Sequence, residues 1–107
     1  MFLFPDAGRD LYPGIFRARS RRALWVDWKS GEQVKYFDSV GEEWWQRWHE
    51  TMEPRFFRQR LRTMLGLPID YFVLRRENEF FGAQPVFKNE DFVVYDANDL
   101  RKLGVPF

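Results

Sequence analysis

Two aspartates and a lysine are the side chains of this sequence that could carry out metal-assisted chemistry. Asp6 follows Pro5 after a short apolar run, and Asp27 and Lys29 lie at the end of a second apolar run that starts at Ala23. Carboxylate oxygens are ligands that Mg²⁺ prefers, and a lysine beside the ion can position or activate a water. If Asp6 and Asp27 meet at the same end of neighbouring strands, these groups could hydrolyse a phosphoester.

This pattern resembles the PD-(D/E)xK signature of metal-dependent nucleases, in which two carboxylates from adjacent strands hold Mg²⁺. That family places the Pro-Asp pair at the start of a strand and after a helix. Here the pair Pro5-Asp6 follows its apolar run, and the residues given before it are not expected to form the helix. A Mg²⁺-dependent nuclease or phosphoesterase that uses Asp6, Asp27 and Lys29 is therefore the alternative function.

All five tryptophans lie between Trp25 and Trp48, so the aromatic chemistry is concentrated in one part of the chain. Exposed indoles stack on sugars or bases. Four arginines that could supply a basic rim precede all of them: Arg17, Arg19, Arg21 and Arg22. Trp44, Trp45 and Trp48, however, have the helical spacing that is more typical of a packed core. Trp28, near a strand end, is the tryptophan that we least expect to be fully buried.

The composition excludes several kinds of site. The 107 residues carry 17 basic and 16 acidic side chains, so a net charge of +1 gives no strong overall field for nucleic acid or an anionic membrane. The lack of cysteine excludes disulfides and thiolate metal sites, and a single histidine excludes a histidine cluster. The apolar runs are far shorter than the about 20 residues that cross a bilayer. We expect neither a cofactor nor a metal in the leading interpretation.

One α/β domain, covering residues 1–107, is expected to position these side chains. Short apolar runs bounded by turn residues predict five strands, at residues 2–4, 23–28, 71–74, 85–88 and 92–95. Residues 10–16 are predicted to be loop or a short helix, because Pro13-Gly14 interrupts them.

A pair of helices is predicted between the second and third strands. Ser39-Val40-Gly41-Glu42 has the spacing of a capping box, so a helix should start there and bury Trp44, Trp45, Trp48 and Met52. A second helix should start at Pro54 and end at Gly66. We expect its buried face to contain Phe57, Leu61, Met64 and Leu65.

Strands that alternate with helical segments favour a compact three-layer domain with a mixed, mainly parallel sheet of about five strands. The last two strands should form a C-terminal β-hairpin, because a polar turn separates them. A final helical turn is predicted at residues 98–103.

Several motifs together resemble a bacterial domain. They are Phe16-Arg17, the segment 22–29, the segment 43–48, Asp70-Tyr71-Phe72-Val73 and Phe92-Val93-Val94-Tyr95. They are similar to the C-terminal soluble domain that follows many membrane spans in bacterial proteins similar to type C glycosyltransferases and polysaccharide-assembly proteins. The resemblance covers nearly the whole chain.

The resemblance implies an accessory domain without catalytic activity of its own, which serves as a scaffold or binds a glycan. It implies a place on the extracytoplasmic (periplasmic) face of a bacterial membrane, with the domain taken from a longer protein and tethered by transmembrane segments outside this sequence. The implied partners are the membrane portion of the same polypeptide and a glycan or lipid-linked sugar, and not nucleic acid. The residues that match the pattern or lie beside it are the candidates for ligand contacts: Arg17, Arg22, Asp27, Trp28, Lys29 and Arg47.

Overall fold

A computed structural model describes residues 1–28 and 38–103, with only the backbone of residues 38–40 and Arg58. The described strands are β1 (Phe2–Leu3), β2 (Tyr71–Arg75), β3 (Phe87–Lys88) and β4 (Phe92–Asp96). The described α-helices are α1 (Tyr12–Ser20), α2 (Asp38–Thr51), α3 (Leu61–Met64) and α4 (Ala97–Leu103). Short 3₁₀ turns occupy Arg58–Arg60 and Arg76–Asn78.

The four strands form one mixed sheet in the order β1-β2-β4-β3. Strands β1 and β2 are parallel, whereas β4 is antiparallel to both β2 and β3. The α/β class and the C-terminal hairpin are therefore confirmed. The prediction of about five strands was wrong, because the sheet of the described residues has four. The mainly parallel arrangement is matched only in part, since β1 and β2 are parallel and the other two pairs are antiparallel.

The strand predicted at residues 23–28 is reduced to one parallel bridge between Leu24 and Phe2. The N–H of Phe2 donates to the Ala23 carbonyl and the N–H of Trp25 donates to the Phe2 carbonyl, each at 2.9 Å. Beyond this bridge, side chains of α2 bond the backbone instead: Arg47 donates to the Trp25 carbonyl oxygen and Trp44 to that of Asp27. The strand is short because side chains take the hydrogen bonds that a neighbouring strand would have made.

The two faces of the sheet differ in how completely they are covered. Side chains alternate between the faces of a strand, so the register places one set of residues on a common face. That set is almost fully buried: Leu3, Phe72, Leu74, Val93 and Tyr95. It shares one core with Met52, which follows α2, and with Leu61, Met64 and Leu100 of the later helices.

Helix α1 packs on the other face of the sheet. The Phe16 ring lies 5.0 Å from the Phe2 ring and 5.3 Å from the Phe4 ring, between centroids. These contacts are those expected of a helix layer on this face, and the three-layer order as a whole stays a prediction.

The predicted loop or short helix after Asp10 is a regular helix. Pro13 lies in the first turn of α1, where its missing N–H needs no partner, so the Pro13-Gly14 pair does not interrupt the helix. The helix ends at Ser20. The next residue, Arg21, adopts a left-handed conformation (φ 58°) and donates its N–H to the Arg17 carbonyl. The chain then turns towards the bridge at Leu24.

The predicted tryptophan helix is confirmed as α2, which begins at Asp38; the Ser39 side chain lies outside the described part. Trp48 is 2% exposed and Met52 is equally buried, as expected. The prediction that Trp45 is buried was wrong, because this side chain is 51% exposed and stacks on the His49 ring at 5.4 Å.

The predicted second helix is shorter than expected, because regular turns start only at Arg58. Leu61 and Met64 are buried as predicted, whereas Phe57 is exposed. The Arg60 guanidinium donates to the carbonyl oxygens of Glu50 (2.9 Å) and Thr51 (3.2 Å) at the end of α2. The last carbonyl groups of a helix have no hydrogen-bond partners within that helix. Because Arg60 bonds to two of them, it holds the chain between Thr51 and Arg60 in a non-helical path.

Candidate functional site

A cleft of about 190 Å³ lies between helix α2 and the chain that follows the Leu24 bridge. We call it the tryptophan–arginine cleft. Its polar and aromatic lining consists of Arg17, Trp25, Asp27, Glu43, Trp44 and Arg47. The cleft brings together three of the residues predicted to contact a ligand, which are Arg17, Asp27 and Arg47.

Arg47 is the centre of the hydrogen bonding on one wall of the cleft. Its guanidinium carbon lies 3.9 Å from the Trp25 ring centre, and Nη1 donates to the Trp25 carbonyl oxygen at 3.1 Å. Nη2 donates to the Glu43 carboxylate, one helical turn earlier, at 2.6 Å. Three contacts on one planar group fix its orientation, because the guanidinium presents its donors in a rigid fork.

Asp27 provides a buried negative charge on the opposite wall. Its side chain is 2% exposed, and Oδ1 lies 3.6 Å from Nη1 of Arg17, which reaches it from α1. The indole N–H of Trp44 donates to the backbone carbonyl of Asp27 at 2.9 Å. A buried carboxylate needs such compensation, because desolvation of an isolated charge is costly. Asp27 is thereby held by residues from both α1 and α2.

The Trp25 indole nitrogen is an unsatisfied polar group in the cleft. It is buried, and it has no hydrogen-bond partner within the described residues. Leaving a buried donor unpaired costs about 1–3 kcal/mol. A polar ligand or a water that reached this N–H would recover part of that cost.

Two other predicted ligand residues, Arg22 and Trp28, do not line the cleft. Arg22 is exposed, and its backbone N–H donates to the Ser20 hydroxyl at 3.2 Å. Trp28 packs against Trp48, at 5.2 Å between ring centroids, and the Arg9 guanidinium covers it at 4.5 Å. Lys29 is outside the described residues, so its predicted role stays a prediction.

Asp6, which belongs to the alternative nuclease site, has its own set of partners. Its Oδ2 accepts hydrogen bonds from the Arg75 N–H (2.7 Å) and from the Asn78 amide (2.8 Å). Burial raises the pKa of Asp6, and these two hydrogen bonds oppose that rise. The carboxylate thus fixes the turn after β2.

Asp6 bonds to Arg75 and Asn78, whereas Asp27 lies beside Arg17. Among residues 1–28 and 38–103, no group of three or more histidine or acidic side chains is suited to hold a metal ion. With Lys29 outside the described part, the Mg²⁺ site that combines Asp6, Asp27 and Lys29 stays a prediction.

Three polar or aromatic residues of the cleft were not among the predicted ligand contacts: Trp25, Glu43 and Trp44. The spacing of Glu43 and Arg47 by four positions was a usable signal, because such pairs meet on a helix surface. The contacts of Trp25 and Trp44 depend on how α2 packs on the chain after Leu24. No local pattern in the sequence contains that information.

Comparisons with known proteins identify no relative. Neither a protein-family model, nor a curated protein, nor a solved structure matches this chain. In the described parts of the chain, none of the helices has both the length and the apolar character that a membrane span requires.

Proposed function

We propose that this chain is a non-catalytic accessory domain that binds a glycan in the tryptophan–arginine cleft. The observation that carries the proposal is the combination of two indoles, two guanidinium groups and one buried carboxylate around about 190 Å³. Sugars offer apolar C–H faces that pack on indoles and hydroxyls that bond to charged groups. Because drug-sized ligand sites occupy about 300–1,000 Å³, this smaller cleft suits one sugar unit of a longer glycan.

The charge of the cleft favours a sugar over a nucleic acid. Arg17 lies beside Asp27, and Arg47 is paired with Glu43, so each cation has an anion close by. Binding to a phosphate backbone depends on basic groups that neutralise phosphates and release counterions. Paired charges are instead suited to recognising hydroxyl groups, which both donate and accept hydrogen bonds.

The arrangement of the acidic groups favours binding over hydrolysis. Glycosidases use two carboxyl groups that flank the scissile bond, one of which donates a proton. In the cleft, Asp27 and Glu43 each contact a guanidinium, an arrangement that fixes side chains in place. His49 stacks on Trp45 and lies 3.4 Å from Glu53, and it does not line the cleft.

We further propose that the domain acts beside a membrane-embedded glycan-assembly protein, on the extracytoplasmic face of a bacterial membrane. This proposal is supported by three of the motifs that carry the family resemblance, because each contributes residues to the lining of the cleft. Phe16-Arg17 contributes Arg17, the segment 22–29 contributes Trp25 and Asp27, and the segment 43–48 contributes Arg47. The partners would be the membrane portion of the same polypeptide and a glycan or lipid-linked sugar.

Titration with oligosaccharides tests the glycan proposal. A set of neutral and uronic-acid-containing oligosaccharides is added to the isotopically labelled protein, and the indole N–H signals of Trp25 and Trp44 are followed by NMR. We expect saturable shifts of these two signals, with the exposed Trp45 indole as an internal reference.

Matched variants connect the binding to the cleft. Glu43→Gln removes an exposed charge at the cleft and should weaken binding about tenfold, whereas Arg22→Gln changes an exposed arginine outside the cleft and should not. Circular dichroism checks that both variants are folded. If no oligosaccharide shifts the two indole signals, or if both variants bind like the wild type, the glycan-binding role is wrong.

A further inference from the structure

A second concave surface lies on the incompletely covered face of the sheet. We call it the α1–sheet groove: it has a volume of about 380 Å³ and lies between helix α1 and strands β3 and β4. Its floor contains Val73, Val94 and Phe92. None of the residues that we place in the tryptophan–arginine cleft lines this groove.

The walls of the groove carry apolar side chains that water reaches. Ile15 of α1 is 50% exposed and Phe87 of β3 is 56% exposed. On the opposite face of the same sheet, Phe72 and Val93 are fully buried. Exposed apolar surface that lines a concavity commonly marks a ligand site, whereas scattered exposed apolar residues do not.

One cation stands at the rim of this apolar surface. Arg19 follows Ile15 by four positions on α1, and among the described residues it is the one charged side chain in the lining of the groove. It forms no ion pair with the residues that the structure describes. The Ser20 hydroxyl donates to the Phe16 carbonyl oxygen, and the Asn89 side-chain oxygen accepts from the Asp91 N–H. Arg19 is therefore the group best placed to meet a charged ligand.

We propose that the α1–sheet groove binds the apolar chain of a single-chain anionic amphiphile, such as a fatty acid, with the anionic head at Arg19. The groove volume equals about 13 water volumes at about 30 Å³ each, which suits a chain of about ten carbon atoms and its head. The apolar floor would contact the apolar chain of such a molecule, and the cation at the rim would contact its anionic head.

Two other occupants fit the groove less well. A peptide would bring backbone N–H and C=O groups onto a floor of valine and phenylalanine side chains, which cannot pair with them. A second copy of the chain would need about 800 Å² of surface on each partner, much of it beyond this narrow concavity. A slender apolar chain needs neither hydrogen bonds along its length nor a wide flat surface.

Titration with two amphiphiles of equal chain length tests the proposal. Decanoate and decyltrimethylammonium are added separately, below their micelle concentrations, and backbone amide signals are followed by NMR. We expect decanoate to give saturable shifts confined to α1, β3 and β4, with an affinity at least tenfold higher than that of the cationic amphiphile. Equal affinities for both head groups, or shifts that never saturate, would overturn the proposal.

Three variants locate the site. Ile15→Glu places a charge in the groove wall and should weaken decanoate binding at least tenfold, whereas Leu11→Glu changes an equally exposed apolar residue outside the lining and should not. Arg19→Glu should reverse the preference between the two head groups. Identical binding by the Ile15→Glu and Leu11→Glu variants would place the ligand elsewhere.

Sedimentation velocity tests whether a second copy of the chain, and not an amphiphile, occupies the groove. A dimer of the wild type that Ile15→Glu converts to monomer would show that a second copy fills the groove, and would overturn the amphiphile proposal. These readouts are independent of the glycan titration, because they follow amide signals of α1 and the β3–β4 hairpin and not the indoles of Trp25 and Trp44. Either proposal can therefore fail while the other stands.

Discussion

The Arg47 guanidinium lies 3.9 Å above the centre of the Trp25 ring and, through Nη1, also donates to the backbone carbonyl of Trp25 at 3.1 Å. One side chain of helix α2 thus holds both the ring and the backbone of a residue beside the Leu24 bridge. The contact joins the two segments that form the tryptophan–arginine cleft. Its loss should therefore affect both the stability of the domain and the shape of the cleft.

Replacing Arg47 by alanine should lower the free energy of unfolding by about 1.5–3 kcal/mol. A cation–π contact contributes about 0.5–1 kcal/mol at an exposed site and a hydrogen bond about 1 kcal/mol, and the partly buried Trp25 carbonyl would lose a partner. Urea denaturation followed by far-ultraviolet circular dichroism measures the change. Gln46→Ala, at the exposed neighbouring position, is the control and should change stability by less than about 0.5 kcal/mol. Equal losses in the two variants would show that the Arg47 contacts contribute nothing.

Tyr95 makes a buried pair of hydrogen bonds that a single substitution can remove. Its hydroxyl accepts from the N–H of Phe80 at 3.2 Å and donates to the Phe80 carbonyl at 3.1 Å. Tyr95→Phe should lower the free energy of unfolding by about 1–3 kcal/mol, because the buried backbone groups of Phe80 lose their partner.

The matched control for Tyr95 is Tyr71→Phe in the neighbouring strand β2. The Tyr71 hydroxyl makes no hydrogen bond within the described parts of the chain, so its removal should change stability by less than about 0.5 kcal/mol. Thermal unfolding of both variants gives the comparison. A Tyr95→Phe protein as stable as the wild type would show that the Phe80 backbone finds other partners.

Arg60 is expected to stabilise the end of helix α2. Its guanidinium bonds to the carbonyl oxygens of Glu50 and Thr51, and burial lowers its pKa. Arg60→Ala should cost about 1–3 kcal/mol, because those helix-terminal carbonyls lose a charged donor. Amide hydrogen exchange should increase in the last turn of α2. Arg55→Ala, whose guanidinium lies 5.5 Å from the exposed Phe57 ring, should leave that exchange unchanged.

Local patterns in the sequence were sufficient for those elements whose partners are close along the chain. The β3–β4 hairpin follows from two apolar runs and a polar turn, and α2 follows from the spacing of its apolar residues. The prediction of a strand at residues 23–28 was wrong, because side chains of a helix distant in sequence, Arg47 and Trp44, donate hydrogen bonds to carbonyl groups of this segment. Such side-chain competition for backbone hydrogen bonds has no signature in the strand itself.

The candidate site was predicted only in part for a related reason. Helical spacing indicated that Trp44, Trp45 and Trp48 lie near one another, but it left open the width of the buried stripe, and Trp45 is exposed. Arg17 contacts Asp27 because α1 packs beside the chain that follows the Leu24 bridge. Arg22 did not join the cleft, because the chain turns at the left-handed Arg21 after α1 ends. The spacing of residues along the chain does not specify how a helix packs or in which direction the chain turns after it.

The partly buried carboxyl of Asp6 should make stability fall as the pH rises. Burial raises the pKa of Asp6 above the ordinary value of 3.8, although hydrogen bonds from Asn78 and from the Arg75 N–H lower it. The folded protein therefore binds more protons at this site than the unfolded chain does, from about pH 3.8 upwards. Its contribution to stability is complete below that pH and is lost as the pH rises through the folded-state pKa.

Two variants test this pH dependence through unfolding free energies measured between pH 3 and 7. Asp6→Asn keeps an acceptor oxygen for the Arg75 N–H but cannot ionise, so its stability relative to the wild type should increase with pH. Asn78→Ala removes a hydrogen bond that lowers the pKa of Asp6, so the loss of stability should extend to higher pH than in the wild type. If the difference between Asp6→Asn and the wild type is constant over this range, Asp6 has the same affinity for protons in the folded and unfolded states. The prediction of a raised pKa for Asp6 would then be wrong.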